Sequence, residues 1–207
     1  LVAVTGGLPG RIVQTVAAWR DEGAISVRRG VWMAEGTLTT VTESRDPIAG
    51  LGPEHRRVVE LCALARLISL ASLESAVDEA VLVDLERSGT IEVVDDGAQE
   101  GVRLRDTGVA AAVDTGLTTE RRRALLAELV ALVDPSGAGN GLSDRALLDV
   151  VSWRLELDLP VDPALALRAG RAALVVGDTS AALLLGRAAW EGDRTVASAV
   201  LYATSLE

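Results

Sequence analysis

The chain has no lysine and no phenylalanine, and it holds one cysteine, one histidine, one methionine and one tyrosine. Each shortage removes a class of chemistry. Without lysine there is no P-loop of the Gly-Lys-Ser/Thr type, because no ammonium can reach a nucleotide's phosphates. A lone Cys62, between Leu61 and Ala63, cannot close an internal disulfide and reads as a small apolar residue on a helix face. That usage fits a reducing cytoplasm, where the protein is expected. His55 sits beside Glu54, Arg56 and Arg57, so a solvated side chain is expected there. A single histidine and a single cysteine supply neither a catalytic triad nor a metal site. No catalytic constellation is present, and the chain is not expected to be an enzyme. Long apolar runs are also missing. Stretches such as Ala181–Leu185 fall far short of the roughly 20 residues that span a bilayer. No basic segment precedes an apolar run at the start, as a signal peptide would require. The chain opens at Leu1 in mid-pattern, which points to a piece of a longer protein.

Basic residues are in deficit, with 20 Lys+Arg against 30 Asp+Glu and a net charge of −10. Binding to nucleic acid draws on cations that neutralise phosphates, so this balance argues against a general polyanion binder. All 20 bases are arginine, and with the Ala, Val, Leu and Gly bias this indicates GC-rich, bacterial coding. Hydrophobic residues at 49% suffice for a core, and the length of 207 allows one domain or two to three small ones.

What is present is helical pattern with brief strand signals. Gly6-Gly7-Leu8-Pro9-Gly10 is a glycine turn into a helix, with Pro9 in the first turn and Ile12, Val13, Val16 and Trp19 on one stripe. Gly23 ends that helix. Ile25–Val27 and Val31–Met33 predict a β-hairpin, and the Thr-, Ser- and Asp-rich stretch 37–48 a linker. Val58, Leu61, Cys62 and Ala65 then mark one face of a helix. Ser72 is expected to cap a short second helix through Val77. A third helix begins at Glu79, points Val81, Leu82 and Leu85 inward, and ends at Ser88-Gly89. Ile91–Val94 and Val102–Leu104 predict two strands around the turn Asp95–Gly101. This is the order of a winged helix. Yet residues 51–105 carry eleven acids against six arginines, a net charge of −5. The third helix, where a DNA reader needs Arg, Lys, Asn or Gln, instead offers Asp78, Glu79, Asp84 and Glu86. A module of this charge is expected to contact protein or nucleotide and to leave DNA alone.

From Thr118 onward the pattern is helical. Thr119 starts a helix with Leu125, Leu126, Leu129 and Val130 inward, and Asp134–Gly141 reads as a linker. Ser143 caps a further helix. Gly170-Arg171-Ala172-Ala173 recurs sixteen residues later as Gly186-Arg187-Ala188-Ala189, each followed by Gly-Asp. One helix and a tight turn fill that period, as in tetratricopeptide-like (TPR-like) hairpins. Arg121-Arg122-Arg123 opposes the helix dipole at a helix start. A solvated face is the plain reading; acidic neighbours such as Asp114 and Glu120, or a partner, are the others. Trp19, Trp32, Trp153 and Trp190 are scattered and are expected as core anchors or inter-helix wedges.

Several of these words, in order, resemble large LuxR-type transcriptional regulators of the STAND class of signal-transducing ATPases. Thr5-Gly6-Gly7-Leu8-Pro9 is similar to the Thr-Gly-Gly-Asn-Pro word closing their nucleotide-binding region, and residues 11–36 to the helix and hairpin that follow. Leu51–Leu117 resembles their winged helix, through Leu-Gly-Pro-Glu-His-Arg-Arg-Val-Val-Glu-Leu and Asp-Leu-Glu-Arg-Ser-Gly. Leu117–Leu125 resembles the Leu-Pro-Pro-x-Arg-Arg-Arg-Ala-Leu start of their helical repeats. The resemblance implies a mainly α chain in three parts: a lid-like helix and hairpin (1–50), a winged-helix-like module (51–117) and TPR-like repeats (118–207). It implies a regulatory fragment linking an adjacent nucleotide-binding domain, or a partner protein, to repeats that sense a small-molecule inducer or partner. No cofactor is expected in this chain; ATP or ADP belongs to the parent, with Gly7 and Pro9 lining the adenine edge. Leu8 replaces the usual Asn, and Asp106 stands where relatives carry a nucleotide-sensing His. Neither nucleic acid nor membrane is expected as a direct partner of the fragment. The rival readings are a winged-helix DNA-binding regulator with a helical dimerisation domain and a nucleotide-independent interaction scaffold.

Overall fold

The computed structural model describes residues 16, 19–20, 23–28, 31–34, 48–95 and 100–205. Gly7 and Pro9, most of the first helix and nearly all of the 37–48 linker lie outside the described residues. Among those described, the chain is mainly helical, with nine helices and two small antiparallel sheets. None of these helices is long and apolar enough to cross a membrane.

The expected hairpin is present as β1 (Ile25–Arg28) and β2 (Val31–Ala34), with Val27 opposite Trp32. Before it, Gly23 at φ 70 donates to the Arg20 carbonyl while Ala24 donates to Trp19, closing the preceding helix in a left-handed turn.

The next block is built around α1 (Pro53–Ala65), started by Pro53 in its first turn. Its periodicity marks one apolar face, yet Val59, Glu60 and Ala63 are buried as well. The other side is covered by α4 (Thr107–Gly116) and α5 (Thr119–Val133), which both pack on α1. Helix α4 was not expected from periodicity; its signals are Asp106, whose carboxylate accepts from the amides of Gly108 and Val109, and the Ala110–Ala112 run.

Ile68-Ser69 forms a short strand, β3, leading directly into α2 (Leu70–Glu74). Ser72 is therefore inside the helix and not its cap: its carbonyl accepts from the Ser75 hydroxyl, and the N-cap position falls to Ser69. The strand pairing of Ile68 with Val102 shifted this boundary, because a ladder bond outweighs a local capping preference. Helix α3 (Glu79–Arg87) follows, capped by Asp78 and closed at Gly89, then β4 (Ile91–Asp95) and β5 (Glu100–Leu104). The sheet order is β3-β5-β4, with Val93 opposite Val102 and Ile91 opposite Leu104. Ile68, Ile91, Val102 and Leu104 turn inward onto α1 and α3, each contributing about 2 kcal/mol of burial.

Helix α6 (Asp144–Glu156) belongs to two cores. Val150 and Trp153 pack with the sheet block, whereas Leu147, Leu148 and Val151 pack with α7 (Pro163–Val175) and α8 (Thr179–Gly192). The apolar core thus runs unbroken across residue 117. Asp134–Gly141, expected as a linker, is a structured loop. The Asp134 carboxylate is buried and accepts from the Gly139 amide and the Ser136 hydroxyl, both at 3.2 Å. Arg154 clasps the Gly137 carbonyl at 3.1 Å. The glycines that signal flexibility serve packing instead: at Gly139, φ is 62, and a Cβ would lie 3.0 Å from Leu147 and Leu165.

The sixteen-residue repeat maps onto α7 and α8, and α9 (Val196–Thr204) packs against both. Gly177-Asp178 makes the first turn, with Asp178 capping α8 through the Ala181 amide at 2.9 Å. The second Gly-Asp pair does not repeat this role. Gly192 ends α8, and α9 is capped two residues after Asp193 by a reciprocal Thr195–Ser198 box. Close helix approach is real: a Cβ at Gly170 would meet Leu201 at 2.6 Å, and one at Gly186 the Tyr202 backbone at 3.1 Å.

Candidate functional site

Two features stand out from the packed framework: the outer face of α3, and a set of arginines joining the sheet block to the helices that follow. On α3, Leu82 and Leu85 are buried, while Glu79, Ala80, Val83, Asp84, Glu86 and Arg87 are exposed. That split follows from the helical period, since Leu82 and Leu85 are one turn apart on the inner side. Asp78, Glu79, Ala80, Val83, Asp84 and Arg87 border a shallow, open groove. Among the described residues, the ion pairs that reach this helix are Arg87–Asp84 at 3.3 Å and His55–Asp84 at 3.9 Å. The exposed face is therefore acidic with an apolar centre. His55, expected to be solvated, is partly covered and lies against Asp84.

The arginine triplet keeps the exposure expected of a solvated face at Arg121 and Arg123, but every member is paired. Arg121 holds the buried Glu60 of α1, with Nη2 at 2.6 Å and Nε at 2.9 Å from Oε2. Arg122 bridges Asp114 of α4 and Glu156 of α6, the latter through Nε at 2.5 Å. The hydrogen bond to Glu156 comes first among the influences that raise its pKa above the ordinary arginine value. Arg123 donates to the carbonyls of Glu156 and Leu157 and lies 3.5 Å from Asp158. Arg57 adds a fourth strut, 2.7 Å from Glu128 of α5. Asp114 was foreseen as a partner; Glu60, Glu156 and Asp158 were not, because they are distant in sequence. Cations near a helix's first turn, here Arg121 and Arg122, cost roughly 0.3–1 kcal/mol each against its dipole. Carboxylates from three other helices and the Thr118 cap offset that cost.

Asp106 uses its carboxylate as a helix cap, which is why an acid is tolerated there. Trp19 and Trp153 are buried, but Trp32 is 55% exposed, contrary to the expectation of an anchor. Trp190 lies under the Arg194 guanidinium, 5.9 Å from its ring centroid. Among the described residues no cluster of His, Cys, Asp or Glu could hold a metal ion.

Cys62 is fully buried in α1, and burial alone pushes its thiol up to about 12. The sign for stability is fixed by the unfolded thiol, which ionises first near 9.0. Stability from this group is complete below that pH and is lost at about 1.4 kcal/mol per pH unit as pH rises toward 12. Alkylation by iodoacetamide at pH 8 is expected to be at least about a hundredfold slower than in urea-unfolded protein. Equal rates would place the thiol at the surface.

No family model, curated protein or solved structure matches this chain.

Proposed function

We propose that the chain is the signal-coupling region of a LuxR-type STAND regulator, a winged-helix-like module continuing into TPR-like repeats. It links an adjacent nucleotide-binding domain to a ligand or partner received on the repeats. The observation that carries this reading is the outer face of α3: it is acidic, centred on Ala80 and Val83, and among the described residues no arginine from another element pairs with it. Such a surface repels a duplex and fits a basic polypeptide surface. The order helix–strand–helix–helix–strand–strand, with sheet order β3-β5-β4, supports the winged-helix-like description. Tight hairpins through Gly170 and Gly186 support the repeat description.

Coupling requires that two sites bias one mechanical element. The Arg57, Arg121, Arg122 and Arg123 struts and the two-faced α6 supply a stiff path from the α3 block into the array. In this reading the chain performs no chemistry, and ATP or ADP is held by the parent, with Gly7 and Pro9 at its edge by resemblance alone.

A fluorescence-anisotropy titration with duplex DNA from 50 to 200 mM salt separates the proposal from a DNA reader. Binding weaker than roughly 10⁻⁴ M throughout is expected. Tight binding with a steep salt slope would establish the rival. Calorimetry of the full-length parent with ATP and ADP tests the other alternative: heat of binding is expected, and silence would favour a scaffold.

A further inference from the structure

A cleft of about 230 Å³ lies between the sheet block and α6. Its walls include Leu67 before β3 and Ser69 within it, Val133 at the end of α5, and Arg145, Asp149 and Trp153 on α6. Asp149 is 19% exposed, and its Oδ2 accepts from the Arg145 Nε at 3.2 Å, one helical turn away. Oδ1 makes no hydrogen bond among the described residues. Burial raises the Asp149 carboxyl above its ordinary range, while the Arg145 and Arg66 charges pull it back. The Ser69 hydroxyl, at the start of α2, caps nothing.

The rim is strained. Arg66 has φ 61 and ψ −41, and the Leu67 amide donates across it to the Ala65 carbonyl at 2.6 Å. This is a γ-turn of the rare positive-φ form, costing on the order of 1–3 kcal/mol for a side chain with a Cβ. It sets Leu67 against the cleft.

Arg145 and the partly buried Asp149 carboxylate, beside an apolar and aromatic wall, define a ligand. A simple carboxylic acid would satisfy Arg145 and leave Asp149 half-bonded. A simple amine would satisfy Asp149 and leave the Arg145 charge without a second anion. A molecule carrying both charged groups on one carbon, with an apolar side chain, matches Arg145, Asp149 and the apolar wall.

We propose that this cleft binds a free apolar α-amino acid, its ammonium on Asp149, its carboxylate on Arg145 and its side chain against Leu67, Val133 and Trp153. As the signal received by the module it rests on the coupling reading above; as a binding site it stands alone.

Titration calorimetry of the whole chain tests it with L-leucine, L-isoleucine and L-phenylalanine as probes. The comparison ligands are 4-methylpentanoate, which lacks the ammonium, and 3-methylbutylamine, which lacks the carboxylate. At least one amino acid is expected to bind, with each half-ligand of leucine at least about tenfold weaker than leucine itself. Asp149→Asn should cost L-leucine at least about tenfold while leaving 4-methylpentanoate unchanged, a pattern that general loosening would not produce. Ala146→Leu, which narrows the cleft without altering charge, should abolish both. No heat from any probe up to about 10 mM would overturn the proposal, as would 4-methylpentanoate binding as tightly as leucine. Either failure leaves the DNA and nucleotide tests of the coupling reading intact.

Discussion

Arg121→Ala is expected to destabilise the fold by about 2–3 kcal/mol, an unusual loss for a half-exposed arginine. The reason lies in its partner. The Glu60 side chain is 4% exposed, and Arg121 makes two of the hydrogen bonds to its carboxylate. Arg56 retains the other oxygen at 3.2 Å, so one ionised oxygen would be left in the interior without its donors. Charge-assisted bonds of this kind are worth about 1.5–3 kcal/mol, and the loss falls near the upper end because the stranded group is buried. Urea unfolding should show a lower midpoint at constant slope. Adding Glu60→Gln to the Arg121→Ala variant should restore about half the loss, since a neutral amide is cheaper to strand than a carboxylate. A single variant within about 0.5 kcal/mol of the parent, or a double variant that is simply additive, would break the argument.

Gly186→Val should cost about 3 kcal/mol and act locally. A Cβ there would stand 3.1 Å from the Tyr202 Cα and 3.2 Å from its amide nitrogen. Those are backbone atoms, so relief requires α9 to move as a body. Valine adds two methyl groups to that contact, far outweighing the roughly 0.5 kcal/mol that leaving glycine gains in helix propensity. Amide hydrogen exchange should show protection lost over Val196–Thr204 and kept over Pro53–Ala65, because the two stretches belong to different packing units. Gly116→Ala is the control: nothing lies within 4 Å of its Cβ position, and the variant should be neutral or slightly stabilising. Uniform loss of protection across both stretches would show that α9 is not a separable unit.

Local chemistry was legible from the chain alone. Ser143 as a cap and Gly89 after α3 are one-residue decisions, made by backbone sterics and nearby donors, and they recur in the structure. Where a distant segment competes for the same backbone, that logic fails. Ser69 was drawn into a strand by Gly101, its register partner, and this displaced the expected cap at Ser72. Asp134–Gly141 is an ordered loop and not a linker because glycine reports permitted conformations, not mobility; the buried Asp134 carboxylate supplies the order.

The candidate surfaces divide in the same way. The acidity of the third helix is a property of composition, visible in Asp78, Glu79, Asp84 and Glu86 before any fold is known. That this face is left open, that three consecutive arginines pair with four acids on three helices and the turn after α6, and that Asp149 and Leu67 line one cleft are facts of assembly. Sequence by itself settled the charge, the helical periodicity and the turn chemistry, which depend on neighbours a few residues apart. Only tertiary structure decided which charges were paired, since an ion pair such as Arg121–Glu60 forms between groups 61 positions apart. No local rule reaches that far: the pairing energy exists only once packing has buried Glu60 and brought Arg121 against it.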